Sequence, residues 1–176
     1  VNQALIDVAT ALLKRVNDTT EAEPLARILE GCPAHTLSDG EQLCREGEKG
    51  TGQLWILVSG NIQVFKRDLQ GVDHSLTLLS APNMLGHMGA VLGASRSATC
   101  KAHGMATVRV LESRRLAYLM DDVGPQGDVL RRLLIATMSA QLNMANDKLN
   151  RMLRDDSTVT EKSLDELEAS ISSLQP

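Results

Sequence analysis

Leu5, Val8, Leu12 and Val16 recur at helical spacing, and Thr20 with Glu23 three residues on predicts a second helix opened by a capping box, with Pro24 in its first turn. From about Pro33 to Glu112 the period shortens. Leu54, Ile56 and Val58 alternate with Trp55 and Leu57, Ile62 and Val64 alternate with polar neighbours, and Val108 and Val110 do so again. Gly47, Gly50, Gly60, Gly71, Gly86 and Gly104 punctuate these short runs, which predicts antiparallel strands joined by glycine turns. The period does not choose between a barrel-like roll and a sandwich, and the Trp55 to Val58 run also reads as a strand buried on both faces.

After Glu112 the helical period returns through Leu116, Leu119 and Met120. Beyond the Gly124-Pro125 break it continues from about Gln126 to Arg154. Ile135, Met138, Leu142, Ala145, Leu149 and Met152 follow a 3-4-3-4-3 spacing, a seam suited to a partner helix. The alternative is a helix that lays one face on its own roll, as Leu130, Leu133 and Leu134 are placed to do. Asp155-Asp156-Ser157 is expected to interrupt the helix, and Ser163 with Glu166 to open a final short one carrying Leu164, Leu167, Ile171 and Leu174. The expected architecture is therefore α+β: N-terminal helices over 1–30, an antiparallel β-roll or jelly roll over 31–122, and over 123–176 a long dimerisation helix plus a short terminal one.

A chain of 176 residues with 43% apolar content has enough to bury one good core. The net charge of −4 arises without a long run of either sign, and Trp55, Phe65 and Tyr118 are its aromatics, so neither nucleic acid nor a membrane is an expected partner. Cys32, Cys44 and Cys100 form no C-x-x-C pair and are expected to be reduced thiols, consistent with a cytoplasmic location. The absence of an initiator Met suggests a processed or truncated chain. The four histidines show no metal-ligand spacing, and no nucleophile with a paired base is legible, so neither a metal nor an enzymatic activity is expected.

The segment from Leu85 to Thr99 carries the candidate chemistry. It reads as an anion pocket: a glycine-marked turn at Gly86, one short helical turn with exposed amides around Gly89 to Val91, then Arg96, whose planar fork suits a phosphate. Ser97 offers a hydroxyl, and Gly86 and Ala98 are small enough for close backbone approach.

Gly86, Arg96, Ser97 and Ala98 match the phosphate-binding cassette of the cyclic nucleotide-binding domain family, and Glu46 to Gly60 resembles that family's glycine-punctuated roll. The resemblance covers roughly Leu25 to Leu153. It implies a ligand site formed by Gly86, His87, Met88, Gly89, Ala90, Arg96, Ser97 and Ala98, with cyclic AMP or another cyclic nucleotide as ligand. One position departs: His87 stands where the family has the glutamate that holds the ribose 2′-hydroxyl. A neutral imidazole offers a single uncharged acceptor. By resemblance to the catabolite activator type, Asn146 on the long helix reaches the purine. With about twenty residues after Arg154, a helix-turn-helix domain is not expected. Two functions follow: a dimeric, non-catalytic regulatory module that signals through its C-terminal helices to an unknown protein partner, or a scaffold that has lost its nucleotide.

Overall fold

The computed structural model describes the backbone of residues 1–172 and the side chains of residues 1–153. Helix α1 (Gln3–Arg15) is opened by Asn2, whose side chain accepts from the Ala4 amide at 2.9 Å. It buries Leu5, Ala9, Leu12 and Leu13. Helix α2 (Glu23–Glu30) buries Leu25, Ala26, Ile28 and Leu29. The expected capping box does not form, because Ala22 is the N-cap and makes no side-chain cap bond. Thr20 belongs instead to a turn around Asp18, whose carboxylate accepts from the Thr20 amide (2.8 Å) and hydroxyl and from Arg132 Nε at 3.2 Å.

These bonds favour the charged carboxylate and hold the Asp18 pKa below its usual value, the Thr20 hydroxyl first among the causes. A depressed folded-state pKa gives stability that is present above the unfolded value of about 3.9 and lost as pH falls through the folded value. Asp18→Asn is therefore expected to cost about 1–2 kcal/mol at neutral pH and almost nothing in strong acid, as read from urea melts at both.

Six strands follow: β1 (Ala34–Leu37), β2 (Gln42–Cys44), β3 (Leu54–Arg67), β4 (Asp73–Ser80), β5 (Asn83–Leu85) and β6 (Thr99–Leu111). All pairings are antiparallel, in the order β1-β6-β3-β4, with β2 also on β6 and β5 also on β3. The two long strands organise the sheet. The first half of β3 pairs with β5 and β6, its second half with β4 and β6, and the register shifts around Ser59 and Gly60 where the strands bend. Gly60 has φ +80°, and a Cβ there would overlap the Met105 carbonyl and lie 2.7 Å from Ala106 Cα.

Burial on both faces is what the Leu54 to Val58 run reflects. Leu54 and Ile56 join a core with α1, α2, the helix α4 (Ser113–Asp121) and the start of α5 (Pro125–Ser172), and Val58 packs against it. Trp55 and Leu57 point the other way, into a second core inside the roll with Leu37, Ile62, Leu85, Ala102 and Val108. Asp122 accepts from the amides of Gly124 (3.0 Å) and Gly127 (3.1 Å) at the start of α5. Arg131 donates to the Met120 and Asp122 carbonyls at 3.0 and 2.6 Å, satisfying the end of α4.

The chain divides into two compact units, Val1–Thr137 and Met138–Pro176. In the first, Val129, Leu130, Leu133 and Leu134 of α5 are buried, each side chain contributing roughly 1.5–3 kcal/mol. Ile135 is exposed, and so are Leu142, Leu149 and Met152 of the second unit. Docking through residues 130–134 and an open seam beyond them thus occur on one helix. That helix runs unbroken from Pro125 to Ser172, so the expected interruption at Asp155-Asp156-Ser157 and the separate terminal helix are replaced by a single element. The side chains of that final stretch, Leu164 to Leu174 included, lie outside the described residues.

Candidate functional site: the 86–98 cassette

Strand β5 ends at Leu85, and Gly86 then takes a left-handed conformation (φ 73°, ψ 5°) that caps the six-residue helix α3 (His87–Leu92). The Gly86 carbonyl accepts from the Ala90 amide at 3.0 Å. The helix thus starts earlier than the sequence suggests, and the amides without an intrahelical acceptor are those of the first turn, at Met88 and Gly89, rather than those of Ala90 and Val91. Gly93, with φ 63°, ends the turn and lets the chain double back to Arg96.

Arg96 is 5% exposed and is fixed from three sides. Nη1 donates to the Gly86 carbonyl at 3.1 Å, Nη2 donates to the Gln53 carbonyl at 3.0 Å, and the guanidinium carbon lies 4.2 Å from the centre of the Trp55 ring. Its backbone pairs with the preceding loop: the Arg96 amide donates to the Glu48 carbonyl at 3.0 Å, and the Gly47 amide donates to the Arg96 carbonyl at 2.9 Å. Nε is buried without an acceptor. Among the described residues no carboxylate pairs with Arg96.

Gly86 is small for a reason beyond its turn. A Cβ there would lie 2.7 Å from both Arg96 Nη1 and Trp55 Cζ3 and would break up the stack. Gly89 is buried, and a Cβ on it would sit 3.1 Å from the Ala94 carbonyl. His87 is 4% exposed on the first turn of α3, while Met88 faces outward. Ala90 packs against the helical core. Ser97 is exposed and its carbonyl accepts from Lys66 Nζ at 2.9 Å; Ala98 is half-buried. The structure thus brings Gly86 and Gly89 against Arg96, while Met88 and Ser97 face outward. Asn146 is an exposed position in the second unit.

Sequence reasoning missed the residues that hold the arginine. Trp55 was legible only as a strand residue, and Gln53 acts through its carbonyl, which no side-chain pattern reveals. Gln53 Nε2 also donates to Glu112 at 3.0 Å, just before α4. Trp55 and Gln53 further line an open hollow of about 400 Å³ with His35, Leu37, Gln42 and Glu112. A second, of about 300 Å³, lies between α3 and α4, lined by Gly52, Ala90, Val91, Leu116 and Met120.

An antiparallel roll flanked by helices, with an arginine-anchored cassette after its fifth strand, places the chain among small helix-flanked β-roll domains. The chain belongs to the cyclic nucleotide-binding domain family, whose model matches residues 34–122. Its fold is shared with a cyclic nucleotide-binding domain from Methylobacillus flagellatus (TM-score 0.71, 18% identity, 83% of this chain and 80% of that one). It is shared also with the catabolite activator protein of Thermus thermophilus (TM-score 0.68, 20% identity, 78% of this chain and 62% of that one). In sequence the chain is 27% identical over 124 residues to a cAMP-dependent protein kinase regulatory subunit of Blastocladiella emersonii. That alignment covers 69% of this chain but 30% of the relative, so the chain spans under a third of that protein's length. Among the described residues no group of His, Cys, Asp or Glu is arranged to hold a metal, and no helix is long and apolar enough to cross a membrane.

Proposed function

We propose that this chain is a non-catalytic sensor that binds a cyclic nucleotide, cyclic AMP being the first candidate, through the 86–98 cassette and passes the signal through its C-terminal helix. One observation carries the reading: Arg96 is a buried cation, neutralised by no carboxylate among the described residues, with a buried Nε still lacking an acceptor. Taking a charge out of water without a counter-charge is costly, and a cyclic phosphate would supply both the charge and the missing acceptor. The first-turn amides of α3 and the Ser97 hydroxyl are the other donors of the proposed site. The hydrogen bonds from Arg96 to Gln53 and from Gln53 to Glu112 give cassette movement a route to α4, and the hollow between α3 and α4 gives that helix room to shift. Two states of different affinity are what such a switch requires.

Isothermal titration with cyclic AMP, cyclic GMP and a cyclic dinucleotide tests the reading. Saturable heat with one of them supports it. No heat at millimolar ligand, with an unchanged melting temperature, leaves the second reading: a roll that has given up its nucleotide and serves as an interaction scaffold. Two features favour that alternative, His87 in the glutamate position and the engagement of both Arg96 Nη atoms by backbone carbonyls.

Both readings use the exposed seam of α5 for self-association, in a cytoplasmic protein that delivers its output to a protein partner. Leu142→Asp with Leu149→Asp places two charges in that seam and is expected to convert a dimer into a monomer by light scattering. An unchanged mass would move the interface elsewhere.

A further inference from the structure

Cys44 and Cys100 lie directly opposite each other in the β2–β6 ladder. Facing Cα atoms in an antiparallel pair are about 4.5–5.5 Å apart, inside the range that a disulfide spans. Facing residues of a ladder project to the same side of the sheet, so the two thiols are neighbours. Cys44 Sγ also points to the Ala98 carbonyl at 3.7 Å, and the neighbouring Thr99 hydroxyl accepts from the Glu46 amide at 3.0 Å. The pair thus sits under the exit of the cassette. Both side chains are largely enclosed, at 5% and 8% exposure, which suits a small uncharged reagent and excludes a bulky one.

We propose that Cys44 and Cys100 form a redox-modification site, oxidised to a cross-strand disulfide by a small hydroperoxide. The Cys44 thiolate takes one oxygen of the hydroperoxide as the O–O bond breaks, leaving a sulfenic acid and an alkoxide or hydroxide that picks up a proton. The Cys100 sulfur then attacks the Cys44 sulfur, and the sulfenic oxygen departs with the Cys100 proton as water. The two thiols lose two electrons and two protons; the hydroperoxide becomes an alcohol or water, plus a second water. The order of attack follows from the surroundings. The facing Cys100 thiol, helped by the Arg96 charge, holds the Cys44 thiol below its usual pKa, whereas Cys100 is pushed up by the same pairing and by burial. Cys32 is the internal contrast: it donates to the Ile28 carbonyl at 3.2 Å, faces no thiol, and is pushed up by burial. The bond would fasten β2 to the strand that leaves the cassette. The facing of the two cysteines, on which the cross-link rests, does not require a nucleotide in the cassette.

The test treats the reduced full chain, without ligand, with hydrogen peroxide under native conditions and maps its peptides without reduction. The expected product joins the Cys44 and Cys100 peptides with the loss of two hydrogens, is reversed by dithiothreitol, and leaves Cys32 as a thiol. In Cys100→Ser, Cys44 should instead accumulate as a sulfenic acid captured by dimedone. A map in which both cysteines stay reduced, or in which Cys44 over-oxidises in the wild type without the cross-link, overturns the proposal. Because the wild-type map needs no variant, a misfolded Cys100→Ser would not rescue it.

Discussion

Arg96→Ala is expected to abolish cyclic nucleotide binding, lowering affinity by at least about a hundredfold, while His87→Glu raises it. Each charged hydrogen bond from the guanidinium fork is worth roughly 1.5–3 kcal/mol, so losing two of them removes two decades or more at about 1.4 kcal/mol per decade. His87→Glu would restore a charged acceptor for a ribose hydroxyl and gain about one to two decades by the same arithmetic. The alanine variant also carries a folding cost, because the carbonyls of Gly86 and Gln53 lose their donor and the Trp55 ring loses its partner. Arg96→Lys separates the two effects: it keeps a charge in the stack and loses the fork. Calorimetry on all three variants, with melting curves alongside, is the measurement. Wild-type affinity in a folded Arg96→Lys or Arg96→Ala protein would remove the cassette from ligand binding.

Gly60→Ala should destabilise the fold by roughly 2–5 kcal/mol. An L residue at φ +80° costs roughly 1–2 kcal/mol, and forcing a methyl group against the fixed backbone of Met105 and Ala106 adds a further 1–3 kcal/mol or so. Gly104→Ala supplies the control: φ is +72° but nothing lies within 4 Å of the added Cβ, so only the conformational cost of about 1–2 kcal/mol remains. Denaturant melts with matching slopes would compare the two. Equal losses would mean that the close crossing of β3 and β6 at Gly60 does not constrain the roll.

The candidate cassette could be read from the sequence because its signals are local. Gly86 sits where left-handed backbone is needed, and adopts it. The Trp55 to Val58 run allowed either an alternating strand or one enclosed on both faces, and packing chose the second, since alternation fails when neither face meets water. The capping box at Thr20 and Glu23 was misleading because Asp18 competes for the same hydroxyl and amide, and Arg132, over a hundred residues away, holds Asp18 in place. The break at Asp155-Asp156-Ser157 rested on weak helix formers, a preference of a few tenths of a kcal/mol per residue that a long helix absorbs.

What the sequence determined by itself was the order of elements, two helices, a glycine-punctuated antiparallel roll and a long helix, together with the position of one arginine after a glycine-capped turn. Those features depend on hydrophobic period and backbone conformation, which act over a few residues. The tertiary structure alone decided what surrounds that arginine: the ring of Trp55, the carbonyls of Gly86 and Gln53, and the facing of Cys44 by Cys100. Each of these except the Gly86 contact joins residues more than forty positions apart through strand register and packing, and the Gly86 contact exists only because the cassette folds back on itself.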